Sequence, residues 1–435
     1  MNSLLFPKMK WSGSFILLLL ICLSISGVQG EPVDSTQVRK TEKIKKNFGQ
    51  QLLSVPQFLI NVPIRILGGT TKLIINQAYI GSKKIAYFKR KKDRKWVISP
   101  VIDYSSNPGL IGGLSYKTHG VFSKNNDKLK ISASYSTNEY QDIKIGYSAP
   151  NAFNEKAGIT FSFYYKNYSR ESLYGLGKNS NNEDEVAFSL EDTYLKVGGL
   201  WNLYPTVSLN IFGSYRITNL YDGEDPNLEG DLDTIRSNLN LSMLETRASR
   251  YWSISPILVH DWRNSHGQPS RGGIESLLFS YNKGFDKTED LQFTITKIDL
   301  RHYINIYRKR ILALRVMAQS IDTHGDSPYI PFYLRSALGG KENLRGYRTR
   351  RYLDNDMAMV SIEYRYPIWD VVDAFIFFDE GQVFEAIFDD FNTRNWNYDA
   401  GGGIRIWNTD KAVLSISAAY SEEDIRFYFQ FSDTF

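Results

Sequence analysis

From Trp96 onward, apolar and polar residues alternate in short runs separated by turn-like clusters. Ile131, Ala133 and Tyr135 interleave with Lys130, Ser132, Ser134 and Ser136, and Ile159, Phe161, Phe163 and Tyr165 with Thr160, Ser162, Tyr164 and Lys166. The same spacing recurs in Val207, Leu209 and Ile211, in Leu312, Leu314, Val316 and Ala318, and in Val360, Ile362, Tyr364 and Tyr366. A period of two marks a β-strand, whose successive side chains point to opposite faces. Strand starts are predicted near Trp96, Leu110, Lys128, Glu139, Ala157, Asp184, Thr206, Ser249, Gly272, Leu291, Arg310, Asp356, Asp370, Tyr398, Lys411 and Asp424, about sixteen in all. In a soluble sandwich the apolar row would be the core; in a transmembrane barrel the same row meets lipid. Alternation alone does not choose between them.

The two ends of the chain do choose. Lys8 and Lys10 precede a short apolar core over residues 15–23, and Ser26, Gly27 and Gly30 supply small residues before Glu31. This is the layout of a secretory signal peptide over residues 1–30, cleaved on export, rather than of a spanning helix. The single cysteine, Cys22, falls inside that core, and Ile21 is too bulky for a lipoprotein box. The mature chain then has no cysteine for disulfide or thiolate chemistry. No later stretch is apolar for the roughly 20 residues a membrane helix needs. At the other end, residues 425–432 alternate, with Phe427, Phe429 and Phe431 as an aromatic outer row, and the chain stops at Phe435. A terminal phenylalanine behind such a strand resembles the C-terminal signal of bacterial outer-membrane barrels. The expected fold is therefore all-β: a transmembrane antiparallel β-barrel of about 16 strands, in the bacterial outer membrane, with a short, partly helical N-terminal lead-in.

Connection lengths agree with a barrel entered from the periplasm. Turns near Tyr204-Pro205, Lys309, Pro367-Ile368 and Asn408-Thr409 are tight, whereas 167–183, 221–248, 323–355 and 385–397 are long and fall on the other parity. The turn at 263–271 is an exception, moderately long on the inner side.

Charge divides the chain. Residues 31–95 carry 15 Lys and Arg against 4 Asp and Glu, while the remainder from Trp96 carries 35 against 43. The formal net charge of +5 is therefore a property of the lead-in. With an export signal in front, it does not point to nucleic acid. Within 31–95, Leu52, Leu53, Leu59, Ile60, Ile64, Ile66 and Leu67, punctuated by Pro56 and Pro63, suggest short amphipathic helices. They fit either a plug in the lumen or a segment along the inner membrane surface. The run Lys83, Lys84, Lys89–Lys92, Arg94 and Lys95 is either a solvated charge run or an anchor on anionic headgroups. Three regions follow: the signal, the basic lead-in 31–95, and a barrel over 96–435. Mean hydropathy is negative, as a barrel permits, because each lipid-facing residue alternates with a lumen-facing one.

One long connection carries a motif: Leu338-Gly339-Gly340-Lys341-Glu342-Asn343-Leu344-Arg345-Gly346-Tyr347. Leu344-Arg345-Gly346-Tyr347 resembles the (V/L)-R-G-(F/Y) motif of the BamA/TamA superfamily of assembly and transport barrels, also called the bacterial surface antigen family. There the motif sits on the sixth outer loop, folded back into the lumen. Phe377-Phe378-Asp379-Glu380-Gly381 resembles the F-x-D-x-G of that family's thirteenth strand, and Glu363 and Arg365 resemble charged lumenal positions of its twelfth. Asp261, Arg263, Asn264, Pro269 and Gly272 resemble a periplasmic-side turn. Strand parity points Phe377, Asp379 and Gly381 one way, and the resemblance implies that Asp379 pairs with Arg345. An arginine fork gives directional, charge-assisted bonds to a carboxylate that lysine does not reproduce. Gly346 would let the loop turn and approach the wall, and Tyr347 would stack on that wall and use its hydroxyl.

The family's assembly and secretion members carry periplasmic POTRA domains. Residues 31–95 lack the strand and helix order of one, so the chain resembles a POTRA-less branch. No G-x-S-x-G nucleophile elbow is present. His260 and His266 flank a turn without a completing ligand set, and Glu183-Asp184-Glu185 reads as a solvated charge run. No catalytic, metal or cofactor residue is expected, and no enzyme activity. The resemblance implies insertion or translocation of client proteins or lipids, among outer-membrane lipids, with the outer-membrane assembly machinery inserting the chain itself. A passive pore or structural surface antigen is the alternative.

Overall fold

A computed structural model describes residues 96–105, 108–122, 127–153, 156–325, 329–369, 371–392, 396–408 and 411–431. The secretory signal with Cys22, the lead-in of 31–95 and its expected lack of a POTRA domain, and Phe435 lie outside these residues. Eleven consecutive strands come first: β1 Trp96–Ser105, β2 Gly109–His119, β3 Lys128–Ser136, β4 Gln141–Phe153, β5 Ala157–Leu173, β6 Val186–Tyr204, β7 Val207–Asp222, β8 Ser249–Asp261, β9 Gly272–Gly284, β10 Gln292–Tyr307 and β11 Arg310–Thr323. A short hairpin, β12 Ser336–Leu338 and β13 Tyr352–Asp354, interrupts the series. Then follow β14 Asp356–Trp369, β15 Val372–Phe384, β16 Asn397–Asn408, β17 Lys411–Tyr420 and β18 Ile425–Phe431. All but the hairpin close into one 16-stranded barrel in which each strand pairs antiparallel with its neighbours. Closure gives every strand a neighbour on both sides and satisfies the backbone within the wall, as hydrocarbon requires, except at the β1–β18 junction, thinly paired among the described residues. Among the described residues no helix is long and apolar enough to cross a membrane.

Each of the sixteen predicted starts falls within two residues of an observed one. The alternation sorts as a barrel demands: Ile376 and Phe427 are 63% and 67% exposed on the outer face, while Asp379 on the inward row is 0% exposed. Two connections differ from expectation. β5 runs on to Leu173, pairing with β6 past a register shift between Tyr168 and Glu171, so the connection expected over 167–183 is 174–185. The turn expected at Pro367-Ile368 lies beyond Trp369. β14 absorbs Pro367 next to a register shift, the place where a strand tolerates a missing N–H donor.

At one end of the barrel most turns are short, as at 205–206 and 308–309, and the connections 120–127 and 262–271 are longer. At the other end long loops rise from the wall, and the span between β11 and β14 is the sixth connection on that side. These long loops pack into a cap with its own apolar core. Leu173, Phe188, Phe293 and Ile321 from strand ends meet Ile235, Ile330, Phe332, Leu334 and Leu353 from the loops, all buried. Ile235 arrives on α1 (Leu232–Asn238), whose first turn is capped by Asp231 accepting from the Thr234 N–H at 2.8 Å. Burying a side chain such as Phe332 contributes about 1.5–3 kcal/mol. The inward rows of β6, β10 and β11 thus change from polar in mid-barrel to apolar under the cap.

The wall is uneven at its closing seam. β1 pairs with β2 from Trp96↔Thr118 to Ser105↔Gly109. With β18 it pairs, among the described residues, only at Asp103↔Gln430 and Tyr104↔Phe429.

Candidate functional site

The sixth long loop descends from the cap onto the inner wall. Its descent is knitted by Asn343, whose side-chain oxygen accepts from the Gly339 and Leu344 N–H groups at 2.9 and 2.8 Å. Leu344 is fully buried with Leu338, Met317, Met357, Met359 and Val383. Gly381 lies on the wall beneath Leu338, with no side chain to block it.

This packing delivers Arg345 to the wall. Its Nε donates to Asp379 Oδ2 at 2.6 Å and its Nη2 to Asp379 Oδ1 at 2.7 Å, a two-pronged fork. Nη1 reaches Glu363 Oε2 at 3.1 Å. The guanidinium lies flat on Phe377, 3.4 Å from the ring centroid. Asp379 also accepts from Ser361 Oγ at 2.5 Å. Burial alone would lower the guanidinium's proton affinity, but the bonds to Asp379 outweigh it and raise Arg345 above the ordinary arginine value. It stays charged at any physiological pH.

Glu363 is a hub rather than a single partner. It accepts from Arg365 Nε at 2.7 Å, and from Arg405 Nη1 and Nη2 at 2.6 and 3.0 Å, besides Arg345. The structure therefore brings Arg345, Phe377, Asp379, Glu363 and Arg365 into one network and adds Ser361 and Arg405, which sequence reasoning missed. Arg405 lies on the inward row of β16 and was readable only by parity.

Gly346 does its work by absence of bulk, not by turning. Its φ lies outside the left-handed region, but a Cβ there would sit 2.5 Å from the Cβ of Asp399 and 2.9 Å from that of Ser421. Asp399 faces Asp379 directly across β15 and β16. Gly346→Ala is expected to unseat the loop by about 1–3 kcal/mol, read as a lower thermal midpoint and faster trypsin cleavage of the loop. Unchanged values for both would show that the approach tolerates a methyl group. Tyr347 differs from expectation. Its ring packs edge-on against Tyr352 of the same loop, 5.5 Å between centroids, while its hydroxyl donates to the Tyr398 carbonyl at 3.3 Å. Burial pushes that hydroxyl above the usual tyrosine range, so it remains a donor.

The loop is also tied to both sides of the closing seam. Lys341 Nζ lies 3.1 Å from Asp103 on β1, and Tyr428 on β18 donates to the Arg345 carbonyl at 2.7 Å. Ser421, just before β18, donates to the Gly346 carbonyl at 2.9 Å. Farther along, Arg351 bonds Glu423 at 2.7 Å and Arg348 pairs with Glu185. Glu185 also accepts from Ser172 and Tyr174. Of the acidic run, only Glu183 and Asp184 are exposed, and Glu185 is a loop partner.

The remaining motif residues lie apart. Asp261 and Arg263 form a fork at the short-turn end, Nε–Oδ1 2.8 Å and Nη2–Oδ2 2.6 Å. Asn264 accepts from the Ser270 and Arg271 N–H groups, both at 3.0 Å, and Pro269 is buried. Gly272 has φ +92°, and a Cβ there would lie 2.4 Å from the Trp262 carbonyl oxygen, so that turn requires glycine. Gln268 extends from it to Asp373 at 2.9 Å, reaching β15. His260 and His266 pair with Glu275 and Asp261 at 2.9 and 3.3 Å. On β18, Phe427 and Phe429 face outward and are exposed. The Phe431 side chain is outside the described residues.

Residues 122–435 match the Omp85 superfamily domain. Among solved structures, the chain is similar to BamA from Haemophilus ducreyi lacking POTRA domains 1–3, with TM-score 0.57 and 14% identity over 78% of this chain and 70% of that one. It is also similar to CdiB from Escherichia coli, with TM-score 0.53 and 13% identity over 78% of this chain and 63% of that one. At these identities the likeness is one of fold. No match was found among curated proteins.

Proposed function

The chain belongs to the Omp85 superfamily of outer-membrane barrels, and from that premise we propose that it inserts or translocates client proteins or lipids at the outer membrane, without catalysis and without a cofactor. The observation that carries this reading is the sixth loop, clasped by the Arg345–Asp379 fork and tied to β1 and β18 on either side of the seam. A passive pore gains nothing from such a loop. A barrel whose seam opens toward lipid needs one, because the same element that fills the lumen then senses the state of both seam strands. We read the apolar cap packed at the long-loop end as support, since a porin keeps an axial path open there. Its surroundings are outer-membrane lipids, its own insertion falls to the outer-membrane assembly machinery, and nucleic acid has no part in it.

Single-channel recording in planar bilayers tests this. The full chain is expected to sit nearly closed, with rare openings. A steady, large conductance would overturn the gated reading and favour the passive pore.

A further inference from the structure

Beneath the sixth loop the lumen holds a cavity of about 220 Å³ whose lining includes Arg301, Arg315, Arg345, Arg365 and Arg405. These come from four strands and the loop, and they converge from different directions. Their five guanidiniums share three carboxylates. Asp299 takes Arg301 and Arg315, Glu363 takes Arg345, Arg365 and Arg405, and Asp379 takes Arg345. Lys341 and Glu342 also line the cavity, and with these and Asp103, the partner of Lys341, counted, an excess of one positive charge is left. The ion pairs hold the guanidiniums in place but do not use them up. Arg301 engages Asp299 through Nε and Nη2, leaving Nη1 without a hydrogen bond to any described residue. Arg365 engages Glu363 through Nε alone, leaving both terminal nitrogens. Arg405 uses both terminal nitrogens and leaves Nε.

We propose that this cavity binds a tetrahedral oxyanion of the phosphate class. A planar carboxylate offers two oxygens and one charge, and the carboxylates present already occupy that role. A phosphate offers more acceptor oxygens around a tetrahedral centre, which matches unused donors arriving from several strands in a site with a positive excess. Arginine is the side chain suited to it, because its fixed fork presents pre-oriented donors.

The test is isothermal titration of the purified full chain in detergent with inorganic phosphate at constant ionic strength set by chloride. Saturable binding of one phosphate is expected, weakened about tenfold by Arg301→Gln and by Arg365→Gln, the loss of a charge-assisted bond each. Dihexanoyl phosphatidate is the second probe: tighter binding than phosphate assigns the source to a lipid headgroup, and equal or weaker binding to free phosphate. Absence of saturable binding, or unchanged affinity in folded variants, overturns the proposal. Should the variants fail to fold, phenylglyoxal labelling of the wild-type chain decides the matter. Phosphate should shield Arg301 and Arg365 from modification, and equal labelling with and without it overturns the site.

Discussion

Arg345→Ala is expected to release the sixth loop from the wall. The substitution removes both prongs of the fork on Asp379 and one of the three cations around Glu363. Asp379 is 0% exposed, so removing the guanidinium leaves a buried carboxylate without its cation. Asp399 faces it across the strand pair and adds a second carboxylate rather than relief. Stripping one partner from such a buried pair costs about 3–5 kcal/mol. At about 1.4 kcal/mol per decade, that moves the seated-to-released equilibrium by roughly 10² to 4 × 10³. Limited trypsin digestion reads the outcome, because Arg348, Arg350 and Arg351 lie just beyond, held by Glu185, by the Phe332 and Tyr333 carbonyls, and by Glu423. The variant should be cut there at trypsin levels that spare the wild type, and its bilayer conductance should rise. Arg345→Lys should behave much more like alanine than like arginine, since an ammonium cannot make two parallel bonds or lie flat on Phe377. Wild-type protection and conductance in the alanine variant would sink the clasp.

The alternation exposed the barrel because a wall between lipid and water imposes it on every strand, and strand starts follow from where it begins. Parity also put Asp379, Phe377 and Glu363 on the lumenal row, and the tetrapeptide flagged Arg345 as their partner. What stayed hidden depended on tertiary packing. Under the cap the inward row turns apolar while the outer row carries Gln292, Thr294, Ser320 and Asp322, so the pattern inverts and Phe293 and Ile321 gave the wrong face signal, and β12, β13 and α1 are too short for periodicity to mark. Glu185 looked like part of a solvated run because its partner, Arg348, is 163 residues away. Gly346 suggested both a turn and a close approach to the wall; only the approach is used, and its partners Asp399 and Ser421 appear only in the fold. Glu363 and Arg365 read as charged lumenal positions, and Arg405, the third cation of the Glu363 hub, lies on a strand with no motif.

The seam gives the second large expected effect. Asp103 and Gln430 are register partners across β1 and β18, with Asp103 turned toward Lys341 in the lumen and Gln430 on the inward row. Antiparallel partners place their Cα atoms about 4.5–5.5 Å apart, inside the range a disulfide spans. Asp103→Cys combined with Gln430→Cys should therefore oxidise readily, and Cys22 is the only native cysteine to compete. The crosslink welds the one junction of the barrel that is thinly paired among the described residues. The oxidised chain should melt higher, by an amount set by about 2–4 kcal/mol of crosslink stabilisation. If clients leave through the seam, oxidation should abolish complementation of a strain lacking the chain, and reductant should restore it. The reduced double variant is the proper reference, since it too has lost the Lys341–Asp103 bridge. An oxidised barrel that melts higher yet complements as well as its reduced form would place the route through the lumen axis, and the loop would then act as a plug instead of a sensor of the seam.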